Sequence, residues 1–210
     1  MPAASRDGLF VSLEGIDGSG KSTQIKRLAD ALHAEGRQTV VTREPGGAPG
    51  AEAIRRLLVE GAPDRWSPET EILLFSAARR DHLESTIQPA LAAGKIVLSD
   101  RFADSTRVYQ GATRGDLRAL VDRIHDAVIS VEPDLTIILD MDPKAALARG
   151  LARGSGEDRF EEFGLWFQEK LRAGFLDLAA EFPDRCQVVD AGRGADDVAA
   201  AIAEIVRARI

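Results

Sequence analysis

Residues 9–23 read LFVSLEGIDGSGKST, and the fold turns on them. An apolar run over 9–14 enters the turn Gly15-Ile16-Asp17-Gly18-Ser19-Gly20-Lys21-Ser22, and a helical pattern starts at Lys21. This is GxxxxGK[ST] in the strand–loop–helix setting that it requires. The glycines let the backbone bend until several N–H groups point inward at phosphate oxygens. The helix that follows presents the positive end of its dipole to the same point. Lys21 can reach the β- and γ-phosphates of a nucleoside triphosphate, and the Ser22 hydroxyl suits Mg²⁺. Residues Gly15 through Thr23 are therefore expected to hold ATP with Mg²⁺, and the chain to use it to phosphorylate a second molecule.

Asp17 is unusual in such a loop, because an acid there opposes phosphate binding unless it faces elsewhere. It is either a turn aspartate bonded to its own backbone or an acceptor for a hydroxyl of a second substrate. No Arg lies between Gly15 and Lys21. Phosphoryl transfer needs positive charge on the moving group, so arginines from elsewhere in the chain must supply it.

Beyond the loop, short runs rich in Val, Ile and Leu recur at 38–44, 95–100, 135–142 and 186–191. They read as strands buried on both faces. Helical patterns lie between them, at about 21–35, 51–60, 68–93, 116–129, 143–152, 161–182 and 195–208. The alternation predicts an α/β fold, a five-stranded parallel sheet flanked by helices, in one domain over 1–210. Residues 149–161, RGLARGSGEDRFE, are dense in Gly, Arg and acids. Lying between two helices, they are a candidate lid.

In an open parallel sheet, ligands bind beyond the carboxyl ends of the strands. Arg43 follows the run QTVVT, and Arg101 follows KIVLSD. Both are placed to hold an acceptor phosphate through bidentate guanidinium bonds, though Arg43 could instead cap a helix or pair with a surface acid. Asp100 can orient Arg101 or join the Mg²⁺ shell. Phe75 and Arg79 are four apart on one helical pattern and share a face. An aromatic ring there can stack on a base, and the guanidinium one turn on can bond the base's exocyclic oxygen. Plain core and plain surface are the other readings of that pair. Asp140 closes an apolar strand and either meets Mg²⁺ through water or caps the strand end.

The chain has 210 residues, 44% hydrophobic and 29% charged, with a net charge of -7. That balance argues against binding a nucleic-acid polymer, which calls for a basic footprint. No run approaches the ~20 apolar residues of a membrane span. The one cysteine, Cys186, sits in the apolar run CQVV, reads as a buried strand residue, and fits a reducing cytoplasm. His33, His82 and His125 fit no metal-ligand spacing. Trp166, in FGLWF, reads as packing.

Taken in order, EGIDGSGKST (14–23), TREPGG (42–47), LLFSAARRDH (73–82), SDRFADSTRVYQG (99–111), PDLTIILDMDP (133–143) and RGSGEDRFE (153–161) resemble the bacterial thymidylate kinases over about residues 8–206. The resemblance implies the three-layer P-loop nucleoside-monophosphate-kinase fold, a homodimer packed through helices, and transfer of the γ-phosphate of ATP to dTMP. It implies that Phe75 stacks on thymine and Arg79 bonds its O4. Arg43 and Arg101 would hold the dTMP phosphate, and Asp17 would take the sugar 3′-hydroxyl or help place the acceptor. Tyr109 would lie under the deoxyribose, with Ser105, Thr106 and Gln110 lining the base pocket. The chain looks like the members whose catalytic arginines lie in the lid, with Arg153 first and Arg159 next. Arg149 is expected near the adenine, and Glu161 near Mg²⁺ or a lid arginine. Two departures stand out: Thr106 where Asn is common, and Phe160 where some members have Tyr. Another nucleoside-monophosphate kinase and a non-catalytic nucleotide switch are the rival readings. A guanine-binding NKxD motif, which a GTPase switch would carry, is absent.

Overall fold

The computed structural model describes residues 8–62, 65–112, 115–153 and 164–210. Five strands form one parallel sheet: β1 (Phe10–Glu14), β2 (Thr39–Arg43), β3 (Ile96–Asp100), β4 (Leu135–Asp140) and β5 (Cys186–Asp190). Their order across the sheet is β2-β3-β1-β4-β5, and every neighbouring pair is parallel. The expected strands are all present, each trimmed by one or two residues at an end.

The helices are α1 (Lys21–Ala34), α2 (Pro49–Val59), α3 (Pro68–His82), α4 (Gln88–Ala92), α5 (Ala103–Thr106), α6 (Arg118–Val128), α7 (Pro143–Arg153), α8 (Leu165–Glu181) and α9 (Ala195–Arg207). Ser67 caps α3 by accepting the Thr70 N–H at 3.2 Å, and Pro68 takes its first turn. The pattern at 68–93 is not one uniform helix. A π-helical turn at Leu83–Ile87 separates α3 from α4. A second π-helical stretch, Arg107–Ala112, extends α5.

Successive strand residues face opposite sides of a sheet. Val11, Leu13, Ile96 and Leu98 join one core with residues of α1 and α9. Phe10 and Val97, the alternate positions, join another with Leu83, Leu91 and Phe102. Helices therefore cover both faces of the central strands, and the three layers follow. Phe10 and Phe102 meet edge to face, their ring centres 4.9 Å apart. Cys186 is buried, as expected of a strand residue, and burial pushes its thiol up to about 12. Trp166 corrects the sequence reading. It is 54% exposed, meets Phe167 edge to face and lies under Lys170, while Phe167 takes the core position. Among the described residues, no helix is long and apolar enough to cross a membrane.

The parallel arrangement brings the carboxyl ends of all five strands to one edge. Strand pairing sets Arg43 opposite Asp100, and Leu13 opposite Asp100 from the other side. The loop at 15–20 leaves β1 at that edge.

Candidate active site

The loop needs its glycines for two separate reasons. Gly15, Gly18 and Gly20 have φ of 132°, 82° and 98°, a region in which a β-carbon clashes with its own backbone. A β-carbon on Gly18 would also come within 2.0 Å of the Ala146 carbonyl oxygen. Gly20 precedes α1 without any side-chain cap, so the first N–H groups of that helix remain open to an anion. The Ser19 hydroxyl is buried and has no partner among the described residues. Lys21 Nζ donates to the carbonyls of Gly15 at 3.0 Å and Ile16 at 2.9 Å. Burial, helped by the neighbouring Arg101, lowers the Lys21 pKa to about 8. These groups fit a triphosphate: open donors, an orphan hydroxyl and a cation with unspent charge.

The Ser22 hydroxyl donates to Asp100 Oδ2 at 2.7 Å. These two oxygens come from elements 78 residues apart. Oxygen donors suit a hard cation, and Mg²⁺ commonly takes one or two carboxylates and completes its shell with phosphates and water. Among the described residues there is no cluster of three or more His, Cys, Asp or Glu able to hold a metal without such help.

Arg101 organises the opposite wall. Its φ is 73°, which costs a non-glycine residue on the order of 1–3 kcal/mol. The backbone is held there from both sides, by Arg101 N–H to Leu13 O at 3.0 Å and Ser99 O–H to Arg101 O at 2.7 Å. The turn aims the guanidinium back at the loop. Nη1 donates to Gly15 O at 3.0 Å and Ser105 Oγ at 2.9 Å. Nη2 donates to Asp17 Oδ1 at 2.5 Å and the Tyr109 oxygen at 3.1 Å, and the Tyr109 hydroxyl donates to Asp17 Oδ2 at 2.9 Å. Asp17 thus faces Arg101 and Tyr109, and is not spent on its own turn. Burial alone would raise its pKa, but Arg101 and Lys21 reverse that and hold it below the ordinary carboxylate value. Burial works against the Arg101 charge, yet Tyr109, Asp17, Glu14 and Asp100 outweigh it and hold the guanidinium firmly protonated.

Glu14 belongs to this wall and was missed in the sequence. Its carboxylate is fully buried, accepts the Phe102 N–H at 2.7 Å and accepts the Ser105 hydroxyl at 2.6 Å. Burial and the nearby Asp104 push it up to about 7. An acid closing a strand just before a phosphate loop was the available signal.

Farther along the edge, Arg43 is half-exposed, with Nη2 at 3.3 Å from both oxygens of Glu52. Phe75 is half-buried on α3, and Arg79, one turn on, is buried. Arg79 is neither plain surface nor free. It bonds Glu44, the Phe102 carbonyl and Thr106. Gln110 Nε2 donates to buried Glu71 at 3.1 Å. Ser105, Thr106, Tyr109 and Gln110 all project from the α5–π-helix segment, so one element supplies that side of the floor. Asp140 is not a strand cap. Arg172 holds it bidentately, at 2.6 and 2.9 Å.

On the other side of the loop lies a cavity of about 320 Å³, lined by Gly20, Thr23, Gln24, Arg149 and Arg193 among others. Arg149 Nη1 lies 3.4 Å from Met141 Sδ. Residues 149–153 continue α7 as helix. The Arg153 side chain, Arg159, Phe160 and Glu161, and with them most of the expected lid, lie outside the described residues.

A phosphate loop after the first strand, a β2-β3-β1-β4-β5 parallel sheet and an arginine-lined floor for a second substrate define a P-loop kinase of the nucleoside-monophosphate type. The sequence profile of the thymidylate kinase family matches residues 13–202, and the chain belongs to that family. It is 71% identical to the thymidylate kinase of Jannaschia sp. (strain CCS1), over 96% of this chain and 97% of that one. It is 56% identical to the thymidylate kinase of Caulobacter vibrioides, over 97% and 98%. Among solved structures, the thymidylate kinase of Ehrlichia chaffeensis superposes with a TM-score of 0.76 at 36% identity, over 95% of this chain and 98% of that one.

Proposed function

We propose that this enzyme transfers the γ-phosphoryl group of ATP to the phosphate of dTMP, giving dTDP and ADP. The observation that carries the reading is the Arg101–Asp17–Tyr109 cluster. It joins the phosphate loop to the acceptor floor through one guanidinium, which bonds both Gly15 of the loop and Ser105 of the floor.

The loop N–H groups and Lys21 hold the β- and γ-phosphates. Ser22 and Asp100 would hold Mg²⁺, which would supply charge neutralisation at the transferring phosphate. Arg43 and Arg101 fix the dTMP phosphate in line with the γ-phosphorus, and Asp17 accepts the sugar 3′-hydroxyl. Tyr109 lies against the deoxyribose, leaving little room for a 2′-hydroxyl. Phe75 stacks on the base, Arg79 donates to its O4, and Thr106 and Gln110 complete the pocket. Arg149 serves the adenine end, in the 320 Å³ cavity. Arg153 and Arg159 close from the lid over 149–161 and supply the transition-state charge that the loop lacks, with Glu161 beside them. Positioning and charge neutralisation do most of the work in such transfers, and a closed lid keeps water from taking the phosphoryl group.

The working form is a cytoplasmic homodimer. Exposed Leu57, Leu73 and Val128 lie on α2, α3 and α6, of which α2 and α6 each pack on α3, and they support an interface between helices. A coupled ADP-release assay with Mg·ATP across dTMP, dUMP, dCMP, AMP and UMP tests the activity. dTMP is expected to lead clearly, and ADP release independent of any monophosphate would end the kinase reading.

A further inference from the structure

Glu44 stands one residue beyond β2 with its carboxylate buried between two nitrogen bases. Oε2 accepts Arg79 Nε–H at 2.7 Å, and both side chains are 4% exposed. Oε1 lies 3.1 Å from Nδ1 of His82, which is fully buried. A carboxylate needs a donor there, so Nδ1 carries the proton, and in the neutral ring Nε2 accepts the Thr42 hydroxyl at 2.6 Å. The Glu44 N–H bonds Asp100 O at 2.9 Å, which ties this carboxylate to the end of β3. Gly47 makes room for the arrangement: a β-carbon there would come within 2.4 Å of both His82 Nε2 and Thr42 Oγ1.

The same contacts fix the plane of the Arg79 guanidinium. Nη2 donates to Phe102 O at 3.2 Å and Thr106 Oγ1 at 3.1 Å, and the cation lies 5.2 Å from the Phe102 ring centre. With Nε and Nη2 both engaged, Nη1 is the nitrogen left without a partner among the described residues. A guanidinium held on two edges presents its third in one direction only.

We propose that Glu44, seated by His82, is the positioning residue that aims Arg79 Nη1 at the C4 substituent of the acceptor base, and that it thereby sets the preference for thymine over cytosine. Thymine offers a carbonyl acceptor at C4. Cytosine offers an amine, which would set donor against donor and leave both unpaired. That discrimination requires Arg79 not to swing away from the wrong base. The Glu44 anchor supplies this restraint, and the inference rests on the dTMP kinase reading above.

The test is steady-state kinetics of Glu44→Gln with dTMP and dCMP, alongside the wild type. The variant keeps the shape and loses the charge that holds both bases. The KM for dTMP should rise on the order of 10–100-fold, as when other outer partners of functional side chains are removed. The dTMP-to-dCMP ratio of kcat/KM should fall by a similar factor, and the KM for ATP should stay within about two-fold. Glu44→Asp, which keeps the charge at shorter reach, should recover part of the ratio. An unchanged ratio in folded Glu44→Gln overturns the proposal, and so does an equal rise in both KM values. If Glu44→Gln fails to fold, His82→Gln decides by the same ratio, since it frees Oε1 and leaves the carboxylate in place. A wild type that does not turn over dTMP would overturn the functional reading itself, a result distinct from either of these.

Discussion

The two sides of the site place their cations by opposite means. Lys21 bonds carbonyls five and six residues away, inside its own loop. Arg101 bonds Asp17 and Gly15, 84 and 86 residues away, and Arg79 bonds Glu44 across 35. The charge balance differs as well. Lys21 hydrogen-bonds neutral carbonyls, and burial draws its pKa down to about 8 despite the nearby Asp17, Asp100 and Glu14. Arg101 is neutralised by Asp17 and held above its ordinary value. The loop side therefore has spare affinity for an anion, while on the Arg101 side an incoming anion would compete with a carboxylate already in place.

The sharpest way to break this comparison is Lys21→Met. If the donor side works independently, kcat should fall on the order of 10³-fold, as when a preorganised transition-state donor is removed. Equilibrium dTMP binding, measured by calorimetry without ATP, should stay within a few-fold. Loss of dTMP binding would show that the two sides share one energetic unit.

Arg101→Lys probes the other side. Lysine keeps the charge but loses the fork that bonds Gly15, Ser105, Asp17 and Tyr109 together. The kcat/KM for dTMP should fall roughly 10²-fold, as expected of misplacement by about an ångström. ATP affinity should be nearly unchanged, and an equal loss of both would place Arg101 on the donor side as well.

The same contrast explains what could be read from the sequence. The donor loop was legible because its parts are consecutive, and Gly, Lys and Ser each have a local reason to be there. Strand ends located Arg43, Asp100 and Arg101 because a parallel sheet brings its carboxyl ends together. Glu44, Glu71 and Arg172 were not legible. Each acts through a partner 32 to 39 residues away, and local pattern carries no sign of that distance. The helical turn at 103–112 was missed for a related reason. ADSTRVYQGA has no apolar period, and the segment is anchored by side-chain bonds from Arg107 to Asp122 and Glu132 elsewhere in the chain. Trp166 was misread because FGLWF does not fix which aromatic faces inward.

Glu14 gives the acceptor side a pH signature of its own. Its folded pKa is raised to about 7 from the ordinary value of 4.5 that the unfolded chain would show. The folded state thus binds the proton more tightly, so the stabilisation is fully present below pH 4.5 and is lost as pH rises through 7. Thermal unfolding of the wild type should show falling stability between about pH 5 and 8, by up to roughly 3 kcal/mol at 1.36 kcal/mol per pKa unit. Glu14→Gln, which can still accept the Phe102 N–H and donate to Ser105, should flatten that slope. A slope that survives the substitution would assign the proton elsewhere.

The smallest expected effect is the most direct measure of the donor side's spare affinity. With a pKa of about 8, Lys21 is half-protonated at pH 8. A bound triphosphate favours the charged form and raises that pKa. Nucleotide binding at pH 8 should therefore take up about half a proton, falling toward zero near pH 6.5, where Lys21 is already charged. Titration calorimetry in buffers of different ionisation enthalpy reads this number directly. Glu14 also titrates in this range, so the wild-type value has to be compared with Lys21→Met, in which the Lys21 share must vanish. Uptake unchanged in Lys21→Met would mean that the lysine is fully charged before the nucleotide arrives. Lys21 would then be held in its charged form as Arg101 is, and the asymmetry between the two sides would lie in their partners and geometry alone.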